Sequence, residues 1–178
     1  MGRLEVVLTG TGGQGLILAA IMLAEAAVDA NLNVVQTQSY GPEARGGASR
    51  AEVIISQEAI YYPRVLQPEL VLTMSEAAYK KYGLNLPDNA VLIVDSTYVH
   101  EMRPRTNAYY LPISHTAQER IGSEQSANVM ALGLLAAVGI AALPFSLLKS
   151  AVERRSPRGS AAKNLAALEI GWELGRLS

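Results

Sequence analysis

Gly10-Thr11-Gly12-Gly13-Gln14-Gly15 places glycines at the G-x-G-x-x-G spacing through Gly10, Gly12 and Gly15. That spacing permits a tight turn, lets backbone approach a phosphate, and exposes helix N-terminal amides carrying about half a positive charge. The bland alternative is that these glycines only let a helix pack closely on a strand. A dinucleotide site needs, in addition, an acidic residue roughly 20 positions further on to hold the ribose hydroxyls. Gln36, Thr37, Gln38 and Ser39 occupy that region, with neither an acid nor a base for a 2′-phosphate. A standard NAD site is therefore disfavoured, and another phosphate or diphosphate stays open.

Tyr40-Gly41-Pro42-Glu43-Ala44-Arg45-Gly46-Gly47 is a second glycine-rich segment. Arg45 could clamp a carboxylate or phosphate and Gly46-Gly47 could donate amides; a surface arginine in an ordinary loop is the competing reading. If both segments leave the carboxyl ends of adjacent strands, they face one crevice. His100 and His115 have no metal-ligand spacing with Asp or Glu and read as surface or capping residues. Neither a Gly-x-Ser-x-Gly elbow nor a P-loop is present. Lys149, Arg154, Arg155, Arg158 and Lys163 read as a solvated face. Tyr61, Tyr62, Tyr79, Tyr82, Tyr109 and Tyr110 read as half-buried core residues, with an interface as the alternative.

The elements around these residues follow from periodicity and punctuation. Leu4 to Leu8 is β-prone and runs into the glycines, and Gln14 to Ala30 repeats apolar residues at helical spacing through Leu16, Ala19, Ala20, Leu23, Ala26, Ala27 and Ala30. With a strand at Asn33 to Thr37 this makes a βαβ unit. Ala51 to Ser56 and Ala59 to Tyr62 predict a hairpin closed by Pro63. Glu69 to Met74 predicts a strand, Ser75 a cap, Glu76 to Tyr82 a short helix, and Ala90 to Val94 and Ala108 to Leu111 further strands. Helices are expected at His115 to Ile121, Gln125 to Ala142, Phe145 to Arg154 and Ala161 to Arg176, the last two separated by Pro157 and Gly159. The sum is an α/β class: a three-layer Rossmann-like domain over residues 1–178 with a mainly parallel sheet, an added hairpin and a helical C-terminal third.

Composition narrows the function. The 178 residues suit one domain, and 49% hydrophobic against 17% charged residues exclude wholesale disorder. A formal net charge of -1 gives no bulk attraction for nucleic acid. With no cysteine, the chain has no disulfide, thiolate zinc site or Cys-ligated iron–sulfur cluster. Gln125 to Leu148 lacks charge, but its polar residues and Pro144 favour a buried helix followed by a second one over a membrane span. The first residues do not have the layout of a secretory signal, so a cytoplasmic protein is expected.

Read together, G-T-G-G-Q-G, Q-S-Y-G-P-E-A-R-G-G and Ala59-Ile60-Tyr61-Tyr62-Pro63 resemble the gamma subunit, or gamma domain, of 2-oxoacid:ferredoxin oxidoreductases. The resemblance spans nearly the whole chain, and the second loop is its most specific part. Its wording is most similar to the 2-oxoglutarate (2-oxoglutarate synthase) type; pyruvate, branched-chain and indolepyruvate enzymes are the alternatives within the family. The resemblance implies CoA-dependent oxidative decarboxylation of a 2-oxoacid, with electrons passed to ferredoxin. It implies alpha, beta and ferredoxin-like delta partner subunits, which carry the thiamine diphosphate and iron–sulfur clusters. This chain also lacks the Gly-Asp-Gly that begins a thiamine diphosphate signature, so it holds neither cofactor in full. By resemblance it closes the active site and positions CoA through Gly10, Gly12, Gly13, Gln14, Gly15, Tyr40, Gly41, Pro42, Glu43, Arg45, Gly46 and Gly47, with no catalytic residue and no metal ligand assigned. A partner surface or CoA-phosphate contact then becomes the alternative reading of the basic run. A free-standing nucleotide-binding protein and a non-catalytic assembly module are the readings from other classes.

Overall fold

Leu4, Val6 and Leu8 point to one side of the first strand and Val7 to the other, and all four are buried. The side-chain period of two thus finds apolar partners on both faces, as expected for a strand inside an α/β sheet. This holds in a computed structural model that describes residues 2–39, 48–140 and 143–177.

Six strands form one sheet in the order β2-β3-β1-β4-β5-β6. They are β1 (Leu4–Thr11), β2 (Asn33–Ser39), β3 (Ala48–Ser56), β4 (Leu70–Thr73), β5 (Val91–Asp95) and β6 (Ala108–Leu111). The β1–β4, β4–β5 and β5–β6 pairs are parallel, and β3 alone runs against its neighbours. The helices are α1 (Leu16–Asp29), the single turn α2 (Glu76–Ala78), α3 (Ile113–Ile121), α4 (Ala127–Gly139), α5 (Phe145–Arg155) and α6 (Ala161–Leu177). α1, α3, α4, α5 and α6 share the larger core with Leu4, Val6, Leu8, Leu70, Leu72 and Ile93. The opposite face is thinner: Val7, Val71, Leu92 and Val94 pack under Tyr79, Val99 and partly buried loop residues.

The expected hairpin is there with a different partner. β3 pairs with β2 from Asn33↔Ser56 to Ser39↔Arg50 and, on its other edge, with β1 from Leu4↔Ile55 to Thr11↔Ala48. With both edges of β3 taken, Ala59 to Tyr62 have no ladder to join, and they are not a strand. The chain instead crosses back along the sheet. Arg3 donates to the carbonyls of Tyr62 and Arg64 at 3.2 and 3.0 Å. The buried Glu5 carboxylate accepts from the amides of Leu66 and Gln67, both at 2.7 Å, and Glu52 accepts from Val65 at 3.3 Å. Tyr61 is 94% exposed and Tyr62 52%, so these two are not core tyrosines, whereas Tyr79 is buried.

β2 consequently lies parallel to β1 but not beside it, and the first βαβ unit spans an inserted strand. The short helix expected at Glu76 to Tyr82 is one α-turn capped by the Ser75 side chain, followed by a wider π-type turn over Tyr79–Gly83. In the C-terminal third, α4 is buried around most of its circumference, and α5 starts directly after Pro144. α4 and α6 cross closely. A Cβ on Gly133 would come within 2.1 Å of the Leu168 carbonyl oxygen, and one on Gly171 within 1.9 Å of that of Met130. Among the described residues no helix is long and apolar enough to cross a membrane.

Candidate functional site

β1 leads into α1 on the larger-core face, while β4 leads through Ser75 into the turn that packs on the other face. Where consecutive connections diverge in this way, a crevice opens at the carboxyl ends of the strands. The glycine turn sits at that point. Its Gln14 side chain accepts from the Thr11 amide at 2.8 Å and donates to the Met74 carbonyl at 2.9 Å, which ties the turn to the end of β4.

The glycines divide into two kinds. At Gly10 a Cβ would meet the Gln14 side-chain oxygen at 2.2 Å, Leu16 Cδ1 at 2.7 Å and Met74 Cβ at 3.2 Å, so Gly10 is there for packing. Gly15 caps α1 with φ +72°, and a Cβ there would lie 2.4 Å from the Asn128 side-chain nitrogen. Gly12 and Gly13 differ: no atom lies within 4 Å of a Cβ at either, both are exposed, and Gly13 has φ +90°. Their open backbone answers to no neighbour within the described chain, which suits approach by a ligand.

No side chain caps the N-terminus of α1, and its first turn holds no acidic residue. At α4 the Ser126 side chain makes no cap either, and the first turn again holds no acidic residue. Asn128, near the start of α4, donates to the Gly15 carbonyl at 3.0 Å and accepts from the Val129 amide at 2.8 Å. Ser126, Asn164 and Ser156 form a chain of hydrogen bonds at 3.3 and 2.9 Å that joins the start of α4 to α6 and the end of α5. Between these elements lies a cavity of about 520 Å³. Gly13, Gln14 and Gly15 form one part of its wall, and Arg158 and Gly159 of the α5–α6 link with Lys163 in the first turn of α6 form another.

Asn128 is not readable as a site residue from sequence, whereas Arg158 and Lys163 lie in the basic run whose alternative reading is a partner surface or CoA-phosphate contact. The one signal for Asn128 is a polar residue at the head of an otherwise apolar helix. The basic run, expected as a uniform solvated face, separates into two groups. Arg154 pairs with Asp29 at 2.6 Å, Arg155 with Glu25 and Lys149 with Glu169, whereas Arg158 and Lys163 reach the cavity. Tyr40, Gly41, Pro42, Glu43, Ala44, Arg45, Gly46 and Gly47 lie outside the described residues. Their flanks are fixed: Ala48 pairs with Thr11, and the Ser49 hydroxyl donates to the Gly10 carbonyl at 3.2 Å. The expected adjacency of the two parent strands is not found: β3 lies between β1 and β2, and only its first residues, beginning with Ala48, sit beside the glycine turn. His100 and His115 are exposed.

The groups with displaced pKa values lie away from this cavity. The Glu76 carboxyl is held below its ordinary value of 4.5, first by the His100 amide and then by Lys80. Burial raises the Tyr110 phenol. Among the described residues lining the cavity, Arg158 and Lys163 supply charge that suits an anion.

Residues 5–174 match the family described as pyruvate ferredoxin/flavodoxin oxidoreductase. The 2-oxoglutarate synthase subunit KorC of Methanothermobacter thermautotrophicus is 43% identical over 181 residues, covering 97% of this chain and 95% of that one. The gamma subunit of a keto/oxoacid ferredoxin oxidoreductase from Geobacter sulfurreducens superposes with a TM-score of 0.88 at 37% identity, covering 98% of this chain and 99% of that one. A 2-oxoglutarate:ferredoxin oxidoreductase from Magnetococcus marinus, solved with 2-oxoglutarate, coenzyme A and succinyl-CoA bound, shares the fold with a TM-score of 0.85 at 22% identity. There the match covers 100% of this chain but 32% of the larger one.

Proposed function

Because the chain belongs to the pyruvate ferredoxin/flavodoxin oxidoreductase family, we propose that it is the gamma subunit of a multi-subunit 2-oxoglutarate:ferredoxin oxidoreductase and that its part is to position CoA. The complex would convert 2-oxoglutarate and CoA to succinyl-CoA and carbon dioxide, passing two electrons to ferredoxin. Similarity to a KorC subunit over nearly its full length supports the choice of 2-oxoglutarate. The observation that carries the role of this chain is the open backbone of Gly12 and Gly13 before α1, of which Gly13 lines a cavity that suits an anion.

Thiamine diphosphate and iron–sulfur clusters supply the decarboxylation and electron transfer in such an enzyme. This chain does not fit either group: it has no cysteine, and among its described residues no cluster of acids and histidines could hold a metal. Both belong to alpha, beta and delta partners of a cytoplasmic complex, in which this chain acts as one gamma domain over residues 1–178, inactive by itself. Gly12, Gly13 and the amides of the first turn of α1 would receive the CoA diphosphate, with Gln14 holding the turn in shape. Arg45 and the Tyr40 to Gly47 segment would orient CoA or the 2-oxoacid from the other side.

The test is native purification through a tag on this chain, followed by CoA-dependent dye reduction. Co-purifying subunits that carry thiamine diphosphate and clusters, with turnover of 2-oxoglutarate above pyruvate and indolepyruvate, are the expected result. A lone inactive chain would overturn the reading, and preference for another 2-oxoacid would overturn the substrate. In the assembled enzyme Arg45→Ala should raise KM for CoA or the 2-oxoacid by about tenfold or more, the scale of a lost charge-assisted contact; unchanged values for both would remove Arg45 from the site.

A further inference from the structure

Each cation on α5 already has a carboxylate. Arg154 meets Asp29, Arg155 meets Glu25, and Lys149 meets Glu169 on α6. Arg158 and Lys163 stand apart from that pattern: among the described residues neither makes an ion pair or a side-chain hydrogen bond. Both line the cavity that Gly13, Gln14 and Gly15 also line, and no acidic residue is among the described residues lining it. Two unpaired cations in a concave site of about 520 Å³ make it locally positive although the chain as a whole carries -1.

The two walls offer different chemistry. The glycine wall presents backbone amides and the end of a helix dipole, which suit a diphosphate diester with one charge on each phosphate. The other wall, Arg158 on the short link between α5 and α6 and Lys163 in the first turn of α6, presents two full charges. A phosphomonoester with a second pKa near about 6 is mostly a dianion at neutral pH, and it is the anion that matches a pair of cations. Gly159, with φ +80°, turns the link between the two charged residues. The Ser126–Asn164–Ser156 hydrogen bonds hold the ends of α4, α5 and α6 that carry this wall.

We propose that Arg158 and Lys163 bind the 3′-phosphate of CoA, so that the α5–α6 link makes the enzyme discriminate CoA from dephospho-CoA. This rests on the reading that the chain positions CoA at the glycine turn. The diphosphate then lies against Gly12, Gly13 and α1, and the adenosine spans the cavity toward the link. Neither cation takes part in the chemical step; both are positioning residues.

The experiment uses the assembled enzyme and compares the KM for CoA with that for dephospho-CoA in the unaltered complex, Arg158→Ala, Lys163→Ala and the double variant. The unaltered enzyme should prefer CoA by about tenfold or more, each single variant should lose much of that ratio, and the double variant should bring it close to one. The paired exchange Arg158→Lys with Lys163→Arg should retain part of the preference, which a merely structural role for these side chains would not predict. An unchanged ratio in the double variant overturns the assignment, as does an equal rise of both KM values. A parallel Gly13→Ala variant separates the two levels. If it raises both KM values equally while the double variant leaves the ratio alone, the CoA reading stands and the 3′-phosphate assignment falls. If neither variant changes either KM, both fall.

Discussion

Replacing Gly15 by Ala tests the join between the glycine turn and α4. Gly15 has φ +72°, where an L-residue costs roughly 1–2 kcal/mol relative to glycine. The new Cβ would also sit 2.4 Å from the Asn128 side-chain nitrogen, about an ångström inside ordinary contact, so the amide must swing away. That breaks its 3.0 Å bond to the Gly15 carbonyl. Asn128 is only 5% exposed, and stranding a buried amide costs about 1–3 kcal/mol. The two effects sum to about 2–5 kcal/mol, which for a chain of this size lowers Tm by roughly 5–15 °C. Urea unfolding of the purified chain followed by circular dichroism reads the free energy. A double-mutant cycle with Asn128→Ala isolates the collision, because the Asn128 Cβ lies at a comfortable 3.7 Å and the steric part vanishes once the amide is gone. The double variant should be at least about 1 kcal/mol more stable than the sum of the two singles predicts. Additivity within about 0.5 kcal/mol, or a single variant as stable as the parent, would refute the reasoning.

At the α4–α6 crossing, Gly171→Ala gives a test by sign. Helix propensity alone favours Ala by about 1 kcal/mol, but a Cβ 1.9 Å from the Met130 carbonyl must force the helices apart at a cost of about 1–3 kcal/mol or more. Net destabilisation in thermal melts is expected, and a stabilised variant would contradict the close crossing. Glu76 sets an acid dependence: its carboxyl is lowered below 4.5 in the folded chain, so its contribution is full above that pH and is lost as pH falls through the lowered value. Glu76→Gln should therefore flatten the acid limb of stability below about pH 5 and leave the neutral plateau nearly parallel, read from urea midpoints across pH. An acid limb identical to that of the parent would remove Glu76 from it.

The order of strands and helices was legible because its signals are local. Ser75, Pro144, Pro157 and Gly159 punctuate the chain where elements begin and end, and the alanine-rich periods of α1, α4 and α6 need no distant information. Strand neighbours were not legible. Ile60, Tyr61 and Tyr62 have β propensity, but propensity cannot reveal that β3 already has β1 and β2 on its two edges. The site shows the same division. The G-x-G-x-x-G segment was readable as a turn before a helix, yet its split into packing glycines and open ones depends on Gln14, Met74 and Asn128. The meeting of Arg158 and Lys163 with Gly13 joins residues from opposite ends of the chain, and no spacing rule connects them.

The placement of β3 bears on the order in which the molecule is assembled. β2 and β3 are close in sequence and can zip as a hairpin from local encounters. β1 can be joined only when that hairpin docks through its free edge, closing the long loop that contains α1. Until then Ser49 is far from Gly10, and the start of β3 is not beside the glycine turn. The setting of the glycine turn is thus tied to the slowest kind of contact in the sheet, so a half-folded chain lacks the β1–β3 seam against which that turn is placed.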